Sequence, residues 1–391
     1  MTRLIAEETA AIADSMVFWR RDLHAHPEPS WHEYRTTARI RGVLEALDLE
    51  PHALSQPTGM WVDIAPEGRS PRIGLRADID ALHLIDTKDV SYRSTHEGVA
   101  HACGHDAHTA ILLGTATVLT RLRDRGLLPR GVRLFFQPAE ETSPGGATRI
   151  ISDGGMAGLR EVYALHCDPR TEVGQIALRP GPITSACDRV RVRFSGPGGH
   201  SSRPHLTADL VMAVGAVITE VPLLLSRRID PRVGASMVWG HVEAGQAPNA
   251  IPSTGVLEGT LRCLQMEGWH YAREMVPDLI RLVAAPFDVQ VEVELADGIP
   301  PTVNHLKGVQ RMADVGRALL GEEAVVDTEQ SLGGEDFSEF LLQIPGALGR
   351  LGVRPAGVSE WPDLHRPAFD IDEACLEIGA KTMIGLAALG N

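Results

Sequence analysis

Nine consecutive residues, His101-Ala102-Cys103-Gly104-His105-Asp106-Ala107-His108-Thr109, bring three histidines, a cysteine and an aspartate together just before an apolar helical pattern. Imidazole, thiolate and carboxylate are the side chains that bind divalent transition metals, and a helix N-terminus draws a cysteine toward thiolate. A polar loop with one buried cysteine would explain a lone residue of this kind. The density here points to metal, provided that further ligands converge from elsewhere. Glu140-Glu141, His166, His200, Glu335-Asp336 and His365 are the other residues with suitable chemistry, each ambiguous by itself. Adjacent carboxylates in a strand point opposite ways, so one of Glu140 and Glu141 can bind metal while its neighbour takes another role.

The elements that must position these residues are legible as apolar runs. Residues 73–77 lead into Asp78 and Asp80, 132–136 into Gln137 and Glu140-Glu141, and 162–165 into His166. Each run has the length of a buried strand, and a helical pattern over 109–122 separates the first two. Strands alternating with helices imply an α/β domain whose mostly parallel sheet is flanked by helices, with ligands bound outside the carboxyl ends of its strands. From Asp188 the pattern changes to strand 190–194, helix 206–225, strands 233–241 and 254–263, helix 267–285 and strand 289–295. That βαββαβ order is the one of a ferredoxin-like α+β domain inserted in the first. The expected division is 1–183 with 300–391 for the metal-binding domain and 184–299 for the insert. The joints are Arg179-Pro180-Gly181-Pro182-Ile183 and Asp297-Gly298-Ile299-Pro300-Pro301, both suited to hinges.

Composition narrows the function. A chain of 391 residues, 43% hydrophobic and 23% charged, is a soluble globular protein with a prior of two domains. Its net charge of −14 excludes a nucleic-acid partner, which requires a basic face. Five scattered cysteines do not form a disulfide framework and imply a reducing compartment. Residues 1–20 read as a helix and not as a signal peptide, and the apolar stretch 210–225 is interrupted by Glu220 and Pro222, short of a membrane span. The cytoplasm is the expected location.

Read in order, the motifs Leu23-His24-Ala25-His26-Pro27-Glu28, Arg76-Ala77-Asp78-Ile79-Asp80-Ala81-Leu82, Ala102-Cys103-Gly104-His105-Asp106, Gln137-Pro138-Ala139-Glu140-Glu141, Ala164-Leu165-His166, Gly198-Gly199-His200-Ser201-Ser202, Gly334-Glu335-Asp336-Phe337 and Leu364-His365 resemble the M20 metallopeptidase family. The set is most similar to its amidohydrolase branch of aminoacylases, hippurate hydrolases and indole-acetyl-amino-acid hydrolases, and it covers essentially the whole chain. The resemblance implies two divalent ions held by Cys103, His105, Glu141, His166 and His365, with Cys103 shared between them. Zinc, manganese, cobalt and nickel all suit such mixed ligands. It further implies that Glu140 is the general base, that Asp80 orients a ligand histidine, that His200 stabilises the oxyanion, commonly across a homodimer formed through the inserted lid, and that Asn249 receives the substrate carboxylate. The implied reaction is hydrolysis of the amide bond of an N-acyl amino acid. A carboxypeptidase or dipeptidase on the same scaffold is the alternative among enzymes, and a non-catalytic metal- or ligand-binding protein the alternative outside them. Two departures, Thr142-Ser143-Pro144-Gly145-Gly146 after the carboxylates and His83 in place of a usual proline, bear on the shape of the pocket.

Overall fold

The apolar runs fold as buried strands in the computed structural model, which describes residues 1–296 and 298–389. From the N-terminus come α1 (Thr2–Ala10), α2 (Ala13–Ala25), α3 (Tyr34–Glu45), β1 (His52–Ala53), β2 (Met60–Ile64), β3 (Pro71–Asp78), α4 (His105–Asp124), β4 (Gly131–Gln137), α5 (Gly146–Ser152), β5 (Glu161–Glu172), β6 (Ile176–Leu178) and β7 (Gly181–Pro182). There follow β8 (Ala186–Ser195), β9 (Gly199–His200), α6 (Leu210–Arg228), β10 (Ser236–Ala244), β11 (Ala250–Ile251), β12 (Thr254–Cys263), α7 (Met266–Ala284) and β13 (Gln290–Leu295). The chain continues through β14 (Val303–Asn304), α8 (Leu306–Leu320), β15 (Val325–Asp327), α9 (Phe337–Leu341), β16 (Gly346–Arg354) and α10 (Cys375–Ala388).

Unit 1 comprises Met1–Ile183, Val303–Glu329 and the chain from Asp336. Its eight strands run in the order β1-β2-β4-β3-β5-β16-β6-β15. The centre β4-β3-β5-β16 is parallel, while β2 joins β4 and β6 joins β16 antiparallel. Period-two alternation divides the side chains between two cores. Ile73, Leu75, Val132, Leu134, Tyr163 and Leu165 pack on one face with residues of α1, α4, α8 and α10. Phe135, Val162 and Ala164 pack on the other with Ile150 of α5 and Phe337 and Phe340 of α9. The expected N-terminal helix is two helices, α1 and α2, broken at Ala11–Ile12.

Unit 2 comprises Thr184–Thr302 and Gln330–Glu335. Its four-stranded sheet, β10-β12-β8-β13, is antiparallel throughout and carries α6 and α7. The segment 330–335, read from sequence as part of the first domain, belongs here because the Gln330 amide donates to the carbonyls of Thr184 and Leu264, and Ser185 Oγ donates to that of Leu332. Asp297, at the expected exit joint, lies outside the described residues. As the helix read over 206–225 implies, α6 runs through Pro222; contrary to the expectation of a stretch short of a membrane span, it is long and apolar enough to cross a membrane by length and composition. One face of it, Leu210, Val214, Val217, Val221 and Leu225, is buried in the core of unit 2.

Candidate metal centre

All five proposed ligands, with Glu140 and Asp80, lie in unit 1. Cys103 and His105 are placed by Gly104, whose φ of 88° starts α4 at His105, four residues earlier than the apolar pattern predicts. A Cβ at Gly104 would also stand 2.7 Å from Cys167 Sγ, so conformation and space both require glycine. Glu140 and Glu141 follow the end of β4, beyond a turn in which Ala139 adopts φ 53°. Because the pair lies past the strand, in bent backbone, the two carboxylates do not diverge as expected. Glu140 Oε2 and Glu141 Oε1 both lie 3.9 Å from His105 Nε2. His166, expected at a strand end, stands within β5 and pairs in register with Arg350 of β16. His365, with φ 61°, donates its backbone N–H to the Ala102 carbonyl at 2.7 Å, which ties its loop to the Cys103 segment.

Among the described residues, the five implied ligands fall into two three-residue donor sets, Cys103 with His105 and His166, and Cys103 with Glu141 and His365; within each set the donor atoms lie within 4.8 Å of one another. Cys103 is common to both. His105 Nδ1 donates to Asp80, whose Oδ1 is at 3.2 Å and carbonyl at 3.0 Å. Its Nε2 is left as a lone-pair donor, fully buried, with no hydrogen-bond partner. His166 Nδ1 likewise donates to the Cys167 carbonyl at 2.9 Å, leaving Nε2 toward Cys103 Sγ at 3.5 Å. Fixing the tautomer through the far nitrogen is what metal-bound histidines require. Asp80 Oδ2 also accepts the N–H of Glu141 at 3.0 Å and the Ser30 hydroxyl at 2.7 Å, so one carboxylate orients two of the donor residues.

The charge balance favours a cation. Burial alone would lower the His105 pKa, but the surrounding carboxylates of Asp78, Asp80 and Glu141 drive it up to about 10. Contrary to the thiolate expected at a helix N-terminus, burial, together with the charges of Glu141, Glu140 and Asp78, pushes the Cys103 thiol well above its usual range. Burial, with His108 and Arg350, holds His166 well below the usual imidazole value. Carboxylates in excess that hold a proton on His105, a neutral imidazole at His166 and a thiol that needs a cation to ionise together fit a divalent metal, which would take the place of the proton on His105 Nε2. The ordinary alternative, a satisfied buried polar network, does not fit the unpartnered His105 Nε2.

Several residues quoted from the sequence have roles there that it does not assign. His108, one turn beyond His105, donates from Nδ1 to Asp78 at 2.6 Å while its Nε2 accepts the N–H of Cys167 at 2.9 Å. Both nitrogens are engaged, so His108 braces β5 and is not left free as a donor. Arg76, Gln137 and Asp336 account for three motifs at once. Arg76 donates to Gln137 Oε1, Asp78 and Asp336, and Gln137 Nε2 and the Ala147 N–H also donate to Asp336. They lock the ends of β3 and β4 to α5 beneath the carboxylate turn. Only their recurrence in family motifs hinted at this.

His200 and Asn249 are in unit 2 and are brought together there. β9 pairs with β11 so that His200 faces Ala250 in register, and Ser201 N–H donates to the Asn249 carbonyl at 3.0 Å. His200 is exposed, and its Nδ1 accepts the Ser202 N–H at 3.1 Å.

An α/β unit with a parallel core that gathers sulfur, nitrogen and oxygen donors from a helix start, a strand and two turns is a metallohydrolase scaffold. The chain belongs to Peptidase family M20/M25/M40, which residues 74–388 match. It is 44% identical over 383 residues to a putative glutamate–cysteine ligase from Rhodococcus jostii, covering 98% of this chain but only 48% of that one, so it spans about half the length of that relative. It is 37% identical over 359 residues to the N-acetyl-L-cysteine deacetylase of Bacillus subtilis, covering 91% of this chain and 83% of the other. A solved Bacillus subtilis structure, described as a dinuclear metal-binding peptidase of the M20 family, superposes with a TM-score of 0.84 at 31% identity, covering 97% of this chain and 98% of that one.

Proposed function

We propose that this chain is a metal-dependent amidohydrolase that cleaves N-acyl amino acids. The observation that carries the reading is the pair of donor sets sharing Cys103, with His105 Nε2 buried and unpartnered among carboxylates. Cys103, His105, Glu141, His166 and His365 would hold two divalent ions, which supply Lewis acidity toward the amide carbonyl and acidify water. Glu140 takes a proton from the attacking water and returns it to the leaving nitrogen as the C–N bond breaks, giving a carboxylic acid and a free amino acid. Asp80 keeps the His105 Nε2 lone pair directed at the centre. In this reading unit 2 is the ferredoxin-like lid; its His200 donates to the oxygen that gains negative charge, and its Asn249 receives the substrate carboxylate.

A homodimer through unit 2 belongs to the same proposal. Its support is β10, an edge strand with Val238 and Val242 more than half exposed, and the exposed Val211 and Met212 of α6. Five free cysteines support a reducing, cytoplasmic setting. The test is a panel of N-acetyl, N-benzoyl and indole-acetyl amino acids assayed with zinc, manganese, cobalt and nickel. Glu140→Gln should lower kcat by about 10²-fold or more with metal still bound. Near-wild-type kcat in that variant would remove Glu140 as the base. Mixing inactive Glu140→Gln with inactive His200→Ala should restore partial activity if His200 is supplied by a partner subunit.

A further inference from the structure

Five non-glycine residues have positive φ among those described: Trp31, Asp48, Ala139, Asp288 and His365. Aspartate enters this region readily, whereas tryptophan and alanine have no side-chain hydrogen bond to offer it and persist there only where the surroundings hold them. Trp31 and Ala139 are 108 positions apart in sequence yet donate their backbone N–H groups to one atom, Glu33 Oε1, at 3.0 and 2.8 Å. Glu33 is fully buried at the head of α3. The Ala139 carbonyl, on the other side of the same residue, accepts the N–H of Gly146 at 3.1 Å. Two positions later the Glu141 N–H donates to Asp80 Oδ2. Glu140 therefore sits between two backbone groups, each anchored to a buried carboxylate, Glu33 before it and Asp80 after it. Ser30, whose hydroxyl also donates to Asp80, ties the Glu33 loop to the same frame.

We infer that Glu33 is a positioning residue for Glu140, its carboxylate oxygen holding the left-handed turn at Ala139 that directs the neighbouring side chain. This rests on Glu140 being the general base. What the role requires is an acceptor oxygen at the reach of glutamate, not a charge. Glu33→Gln keeps both, Glu33→Asp keeps the charge and loses the reach, and Glu33→Ala loses both.

The experiment measures kcat, KM, metal stoichiometry and backbone hydrogen exchange of peptides spanning Ala139 in the three variants. Glu33→Asp and Glu33→Ala should lower kcat by about 10-fold or more with KM and metal content unchanged, and Glu33→Gln should stay within about threefold of wild type. Exchange around Ala139 should accelerate in the Asp and Ala variants, with or without metal, and not in Gln. In a Glu140→Gln background, Glu33→Asp should cost less than about twofold more, since a missing base cannot be misdirected. Wild-type kcat in Glu33→Asp, unchanged exchange, or a full additional loss in the Glu140→Gln background would each overturn the inference. If Glu33→Ala fails to fold, the Asp and Gln pair decides. If Glu140→Gln alone keeps wild-type kcat, the general-base reading falls, and the exchange data then judge whether Glu33 holds the turn.

Discussion

His105 and Asp106 are neighbours at the start of α4, yet they face two buried polar clusters of opposite character. Asp106 accepts from Arg20 Nε at 2.9 Å and from His24 Nδ1 at 2.7 Å. Arg20 also donates to Asp370 and Glu373 and stacks over the Tyr92 ring at 4.7 Å, while His24 Nε2 reaches Asp86 at 3.2 Å. Against burial, Arg20 and His24 hold the Asp106 carboxyl well below its usual range. Every group named in that cluster has a partner. On the His105 side, carboxylates approach to 3.6 and 3.9 Å without bonding, and Nε2 is unpartnered. A saturated buried network stabilises one structure, whereas an unsaturated one has donor capacity left for a ligand.

The contrast breaks most severely on metal removal. Chelation should abolish hydrolysis while leaving near-ultraviolet circular dichroism close to that of the loaded protein, and add-back should restore activity; full activity in metal-free protein would collapse the distinction. Next in size is Arg20→Ala, which strands Asp106 and Asp370 and should cost about 3–5 kcal/mol in urea unfolding. Cys103→Ser, on the other side, should weaken metal binding while changing the stability of the metal-free protein by less than about 1 kcal/mol. Comparable unfolding losses in both variants would show that the clusters do not differ as described. Asp80→Asn should reduce metal affinity by about 10–100-fold, measured by competition with a chelating dye, because the negative charge behind His105 is lost and the carboxylate that accepts from the Glu141 N–H and the Ser30 hydroxyl is altered.

The smallest effect is on pH dependence. Burial opposes ionisation of Asp370 and Asp86, but Arg20 holds the first, and His24 with the N–H groups of Ser94 and Lys88 the second, below the usual carboxylate range. The unfolded chain therefore binds more protons than the native one in acid, so stability from these groups is present above about pH 4 and is lost as pH falls through their native values. Arg20→Ala should flatten this acid limb. An unchanged slope would show that Arg20 does not sustain Asp370.

How much of this was legible in the sequence depended on the range of the interaction. Strands with period-two or continuous apolar character, such as β3, β4 and β12, were visible because their burial is written in consecutive residues. The βαββαβ succession was visible for the same reason. The apolar run stops at Leu165, which sets His166 at a strand end in the sequence; β5 continues beyond it and passes Pro169 where the pairing with β16 slips between Gly352 and Arg354, an irregularity that spares the missing N–H. The Arg20 cluster, which joins residues some 350 positions apart, carries no local signature, and neither does the meeting of Trp31 and Ala139 at Glu33. Residues with donor chemistry can be picked out by type, while the framework that brings them together cannot.

β16 has a consequence for how the protein is made. It lies between β5 and β6 in the sheet, yet all of unit 2, Gln330–Glu335 included, is translated between β6 and β16. At about 5–20 residues per second, a nascent chain spends on the order of ten seconds or more with that central slot open and β5 exposed at an edge. His365, Asp370 and Glu373 emerge later still. The ribosome therefore completes unit 2 while unit 1 waits for a strand it cannot close without, and this interval is when the chain is most open to chaperones and to wrong strand partners.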